Sequence, residues 1–102
     1  MKHPITRADV ATRPQLDEDD VTALREIANG ATNLGIARAL KVSTATTGRR
    51  LTALFEKLGA KDRTHATVIA LVTGVITAAD VSLPTWVQVE LAATREPIPD
   101  GV

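Results

Sequence analysis

Two adjacent arginines, Arg49 and Arg50, have the most distinctive chemistry in this sequence. They lie among small residues, with Gly48 before them and Thr52 after them. A guanidinium group presents a planar fork of N–H donors that matches a phosphate group or the edge of a guanine base. A glycine inside a helix costs about 1 kcal/mol relative to alanine, and close approach to another backbone is a reason to keep it. This pattern predicts recognition of a nucleic acid.

The other residues that could do chemistry do not form a recognisable site. The sequence has no cysteine, and neither His3 nor His65 has a partner at the spacing of a metal site or a catalytic triad. The acidic run from Asp17 to Asp20 suits the N-terminus of a helix, where the helix dipole favours carboxylates, and we prefer this interpretation to a metal site. We therefore expect no enzyme, no metal site and no cofactor.

The charges are unevenly distributed although the formal net charge is zero. Residues 31–66 carry seven basic and two acidic residues. Acidic residues outnumber basic ones six to four in residues 1–30 and four to one in residues 67–102. A basic middle between acidic flanks is typical of a nucleic-acid-binding surface. Charge alone is equally compatible with a solvated surface that has no partner.

Hydrophobic spacing predicts an all-α fold, in which a four-helix helix-turn-helix domain is followed by an additional C-terminal helix. A second, short helix is followed closely by a third, which Ser43 caps and Gly59 ends, at about residues 43–58. Two helices joined so tightly must cross at a large angle, which is the helix-turn-helix arrangement. A fourth helix begins near Asp62 and is apolar nearly all round, which predicts a contact beyond its own core. The C-terminal helix carries Trp86.

The third helix has two functional faces if its period is 3.6 residues. Its inward face includes Thr47, and its outward face is small and polar around Arg49. The outward residues are Ala45, Gly48, Arg49 and Thr52, and the residues along the margin are Thr46, Arg50 and Lys57. An arginine on a small, polar face suits a guanine edge, and threonine hydroxyls and lysines at the margin suit phosphates. The alternative is an ordinary amphipathic helix with solvated arginines.

The stretch from about residue 16 to residue 76 resembles the DNA-binding domain of LuxR-type (GerE-like) response regulators. The following residues fall in register with the family pattern without a gap: Leu16, Leu24, Ala28, Gly30, Thr32, Asn33, Ile36, Ala37, Leu40, Val42, Ser43, Thr46, Leu54, Lys57, Leu58, Gly59, Ala60, Arg63 and Ala66. The resemblance implies that the third helix enters the major groove and that the fourth often builds a dimer. It places Gly48, Arg49 and Thr52 at base-contacting positions. It also places Thr46, Arg50, Lys57 and Arg63 at positions that face or support phosphate contacts.

The sequence departs from this family pattern at five positions. Asp19 and Asp20 replace an Arg-Glu pair, Gly35 replaces a glutamate, Thr47 replaces a buried valine, and Arg50 replaces a histidine. These departures predict that an ionic or polar brace between the first helices is missing and that DNA binding is altered or, in the limiting case, lost. The family's sensor domain is also missing from this sequence, so we expect a stand-alone protein.

We interpret the chain as a mobile N-terminal arm at residues 1–15, a helix-turn-helix domain at residues 16–76, and a C-terminal helix and tail at residues 77–102 that extend a dimer interface. The expected function is sequence-specific regulation of transcription by a homodimer on double-stranded DNA. The alternative is an interaction module of the same fold that binds a protein of the transcription machinery. There is no secretory signal, and the longest apolar stretch, residues 66–79, is too short to span a bilayer, which predicts a cytoplasmic protein without a membrane partner.

Overall fold

The computed structural model describes residues 13–95, and this part of the chain is helical and has no β-strand. Its helices are α1 (Glu18–Ala28), α2 (Asn33–Leu40), α3 (Thr44–Leu58), α4 (Arg63–Val72), a short 3-10 helix (Ala78–Asp80) and α5 (Thr85–Arg95). The predicted all-α fold with four helices and an additional C-terminal helix is confirmed.

The acidic run before α1 forms the start of that helix. The side chain of Asp17 accepts a hydrogen bond from the Asp20 backbone N–H at 2.8 Å, and Asp20 accepts one from the Asp17 N–H at 3.1 Å. This reciprocal capping box satisfies two backbone donors that the helix itself leaves unpaired. Asp17 and Asp20 therefore have a local structural role, as the helix-dipole interpretation predicts.

The turn between α2 and α3 is short because Lys41 adopts the left-handed conformation, with φ 60° and ψ 42°. Two residues later, the side chain of Ser43 accepts a hydrogen bond from the Thr46 N–H at 3.0 Å and caps α3. Gly59 ends α3 at φ 71°, a conformation that a residue with a Cβ atom seldom adopts. The helix-turn-helix predicted from sequence thus forms with a third helix at residues 44–58.

The core lies where α1, α2, α3 and α4 meet. Its fully buried large residues are Leu24 of α1, Ile36 of α2, Leu54 of α3 and Ile76, which follows α4. The one buried polar side chain among the described residues is Thr47, which occupies the inward face of α3 as its helical position predicts. Burial of these side chains holds α3 against the other helices by one face and leaves its opposite face in solvent.

The segment after α4 is attached to the C-terminal end of α1. Asn29 donates from Nδ2 to the Asp80 carbonyl at 2.9 Å and accepts from the Ser82 N–H at 2.6 Å. Arg25 adds an ion pair to Asp80, with Nε 3.4 Å from Oδ1. Neither this attachment nor the 3-10 helix that contains Asp80 was predicted from the sequence.

Helices α4 and α5 expose several large apolar side chains. The most exposed are Val72 at 80%, Trp86 at 70% and Val89 at 60% of their full accessible area. Val72, the last residue of α4, is therefore not covered by α5. None of the helices in residues 13–95 is long and apolar enough to cross a membrane.

Residues 1–12 and 96–102 lie outside the described residues, and with them most of the predicted arm and the tail. Of the arm, residues 13–15 are described and non-helical, and Arg13 donates to the Thr73 carbonyl at 3.5 Å. The mobility of the arm and the proposed domain boundaries stay predictions.

Candidate nucleic-acid interface

The outward face of α3, formed by Gly48, Arg49 and Thr52, combines open space with an exposed arginine. A Cβ atom added to Gly48 would meet no heavy atom within 4 Å. Arg49 is exposed and donates from Nη2 to the Thr46 hydroxyl of the same helix at 3.3 Å. Thr52 donates to the Gly48 carbonyl at 3.0 Å. Within residues 13–95, no neighbouring side chain thus crowds Gly48, and the side-chain hydrogen bond of Arg49 stays within α3.

Thr46 lies at the N-terminal end of this face, where two donors converge on its hydroxyl oxygen. The Ser43 hydroxyl donates to Thr46 Oγ1 at 3.0 Å, and Arg49 donates to the same atom. A hydroxyl oxygen that accepts two hydrogen bonds still has its own O–H to donate. Thr46 is half-buried beside the first turn of α3, so this remaining donor suits a phosphate oxygen at the margin of the helix.

Arg50 and Lys57, the basic residues of the α3 margin, form ion pairs with the first turn of α1. Arg50 Nη1 lies 2.7 Å from Asp19 Oδ2, and Lys57 Nζ lies 2.8 Å from Asp20 Oδ2. The hydrogen bond to Asp20 raises the pKa of Lys57, since it stabilises the charged amine more than partial desolvation disfavours it. Asp19 and Asp20, two of the residues that depart from the family pattern, thus pair with α3. The expected loss of a brace between the first helices stays a prediction.

These pairs line a shallow cleft of about 250 Å³ between α1 and α3. Its walls carry three carboxylates, from Asp17, Asp19 and Asp20, and the two cations of the α3 margin. The negative and positive groups partly cancel, so the margin on this side is less basic than the count of lysines and arginines in residues 31–66 implies.

Arg63, predicted to support a phosphate contact, lies at the first residue of α4 and faces the loop before α2. Its Nη1 donates to the Ala31 carbonyl at 3.1 Å, and its Nη2 donates to the side-chain oxygen of Asn33. Arg63 therefore ties α4 to the start of α2. The other six predicted site residues all lie on α3. Where each of the seven meets a nucleic acid stays a prediction.

The comparison with protein families matches residues 16–70 to the model described as bacterial regulatory proteins, luxR family. The match covers more than half of the 102 residues and spans α1, α2, α3 and most of α4. The chain belongs to the luxR family of bacterial regulatory proteins. The resemblance expected from sequence is confirmed.

A curated relative of this luxR-family chain is the transcriptional regulatory protein YdfI of Bacillus subtilis (strain 168). The two are 44% identical over 63 residues, which is 62% of this chain and 30% of the relative. The chain thus spans less than a third of the length of the curated relative it matches. No solved structure matches it significantly.

Within this luxR-family domain, sequence reasoning missed the contacts that Asp19 and Asp20 make with α3. The signal was present, because the acidic run and the α3 cations carry opposite charge. Capping and the helix dipole accounted for the run without any partner, and 31 residues separate Asp19 from Arg50 along the chain. No cluster of three or more potential metal ligands occurs in the described part of the chain.

Proposed function

We propose that this luxR-family protein is a sequence-specific DNA-binding regulator of transcription that inserts α3 into the major groove. The observation that carries the proposal is the outward face of α3, where Gly48 leaves open space beside the exposed Arg49. The major groove admits an α-helix when no bulky side chain holds it away, and arginine is the commonest reader of guanine. The relative's name, transcriptional regulatory protein, supports the same function.

The proposal gives the two adjacent arginines different roles. Arg49 lies at the centre of the outward face and reads a base edge, with Thr52 one turn further along. Arg50 lies about 100° further round the helix, since successive residues turn by 360°/3.6, and it meets phosphate. Thr46 and Lys57 contact phosphate along the same margin, and Arg63 supports the contact from the start of α4.

We further propose that the protein acts in the cytoplasm as a homodimer held by the apolar surface of α4 and α5. Val68, Leu71 and Val72 of α4 and Trp86 and Val89 of α5 are exposed, and apolar surface of this kind usually marks an interface. A two-fold dimer would place two α3 helices about 34 Å apart, one turn of DNA. We expect sedimentation at micromolar concentration to show a dimer, free or on DNA; monomer alone in both states would contradict this.

Substitution of each arginine tests the DNA-binding proposal, because the two roles predict different losses. Arg49→Ala should weaken binding to a cognate duplex by about 1–3 kcal/mol and flatten the preference at one base pair. Arg50→Ala should weaken cognate and scrambled duplexes alike and reduce the slope of log affinity against log salt by about one unit per subunit. Binding would be measured by fluorescence anisotropy on both duplexes at several salt concentrations, with the melting temperature of each variant as the control for folding.

The protein-binding alternative has one observation in its favour. Arg50, Lys57 and Arg63 are each hydrogen-bonded within the chain, which leaves fewer free cations for phosphate than the sequence suggests. Equal, sequence-independent losses in both variants would remove Arg49 as a reader of bases. DNA affinity unchanged in both would favour a domain that binds a protein of the transcription machinery.

A further inference from the structure

We propose that Asp19 competes with DNA phosphate for Arg50, so that the first turn of α1 lowers the affinity of α3 for DNA. This inference rests on the proposed DNA-binding function and adds a residue that limits it. It makes Asp19 an internal competitor of DNA.

The three aspartates beside α3 differ in what else they do. Asp17 and Asp20 each accept a backbone N–H in the capping box, and Asp20 also pairs with Lys57. Within residues 13–95, the side chain of Asp19 makes one hydrogen bond, to Arg50. Of these three carboxylates, Asp19 is therefore the one that bonds to α3 and takes no part in the capping box of α1.

The pair between Asp19 and Arg50 is weak enough for a phosphate to displace. One hydrogen bond joins the two groups, the side chain of Arg50 is 46% exposed, and that of Asp19 is 55% exposed. Exposed pairs of this kind gain little from Coulomb attraction, because water and salt screen them. A phosphate that approaches Arg50 must either break this pair or lie beside the Asp19 carboxylate, and both arrangements cost DNA affinity.

The competition acts on phosphate contacts and not on base contacts. Replacement of Asp19 by asparagine should therefore raise affinity for any duplex, whatever its sequence. We expect about a twofold to fivefold gain, the range that an exposed ion pair supports. The salt slope should become steeper by only a fraction of one unit per subunit, because Arg50 already contributes to it and then acts without a carboxylate beside it.

Glu18 offers a matched control for the loss of one negative charge. It lies in the same first turn of α1, is exposed, and makes no side-chain hydrogen bond or ion pair to residues 13–95. Glu18→Gln and Asp19→Asn remove the same charge from almost the same place near the helix dipole. Their melting temperatures should shift by similar, small amounts, so a difference in DNA affinity reports the contact with Arg50.

The experiment measures the affinity of four variants for a fluorescein-labelled mixed-sequence duplex by anisotropy at several salt concentrations. They are Asp19→Asn, Glu18→Gln, Arg50→Ala and the double variant Asp19→Asn/Arg50→Ala. We expect Asp19→Asn to bind the duplex more tightly than wild type and Glu18→Gln to gain clearly less affinity. In the Arg50→Ala background, the added Asp19→Asn substitution should change the affinity no more than Glu18→Gln changes it in the wild type.

Two kinds of failure can be told apart. If wild type binds the duplex and Asp19→Asn gains no more than Glu18→Gln, or binds less tightly, the competition is overturned while the proposed function stands. If neither wild type nor Asp19→Asn binds DNA at low salt, although both melt cooperatively, the proposed function itself is overturned.

Discussion

Replacement of Gly48 by alanine should separate the stability of this domain from its DNA affinity. Gly48 lies inside α3, where a glycine costs about 0.8–1.0 kcal/mol relative to alanine. The added Cβ atom would meet no heavy atom within 4 Å, so no steric strain offsets that gain. We therefore expect the free energy of unfolding of Gly48→Ala to rise by about 1 kcal/mol, and the melting temperature by about 4–8 °C for a domain of this size.

The same methyl group should weaken DNA binding. In the proposed complex, Gly48 lies on the face of α3 that approaches the base edges, where a methyl group holds the helix away from the groove. Affinity would be measured by anisotropy on a cognate duplex, and stability by thermal unfolding followed by circular dichroism. The expected result is a more stable protein that binds DNA less tightly, which a general folding defect cannot produce.

Gly35 provides the matched control. It also lies in a helix, α2, and its added Cβ atom would meet the Ala31 Cβ at 3.4 Å, an ordinary contact. Gly35→Ala should be tolerated and should leave DNA affinity unchanged, because Gly35 is not on α3. If Gly48→Ala binds DNA as tightly as wild type, α3 does not approach DNA closely at Gly48. If it fails to raise the melting temperature, the assignment of open space beside Gly48 is wrong.

Two further predictions concern stability. Thr47 is fully buried and donates its hydroxyl to the Ser43 carbonyl at 3.0 Å, and this carbonyl also accepts the Thr47 N–H. Thr47→Val should therefore raise the free energy of unfolding by about 1 kcal/mol without leaving the carbonyl unpaired. A lower melting temperature of this variant would contradict the prediction. The Thr77 N–H, and then Arg25, hold the pKa of the Asp80 carboxyl below its usual range. The contribution of this carboxylate to the stability of the fold is therefore complete above about pH 4 and is lost as the pH falls through the lowered pKa. Asp80→Asn should lower the melting temperature at pH 7, and its difference from wild type should narrow in thermal melts at more acidic pH; a gap that widens on acidification would contradict the assignment.

Much of the fold was determined by local signals in the sequence. Ser43 caps α3 and Gly59 ends it, as predicted, because a cap depends on residues within three or four positions of the helix end. The helical period correctly placed Thr47 inside and Arg49 outside, since the period alone decides which side chains share a face. The register of the family pattern over residues 16–66 was sufficient by itself to indicate the luxR family, to which residues 16–70 match.

Only the tertiary structure decided which distant polar and charged groups meet. Asp19 pairs with Arg50 across 31 residues of sequence, and Asn29 bonds to Asp80 across 51. No periodicity or capping rule relates such distant residues, because their distance depends on how whole helices pack. The acidic run had a sufficient local explanation in Asp17 and Asp20, so its opposite charge to the α3 cations did not by itself predict a contact with α3. The charge of a surface depends on every helix that contributes to it. The margin of α3 is less basic than its own residues imply, because α1 packs beside it and places Asp19 and Asp20 next to Arg50 and Lys57.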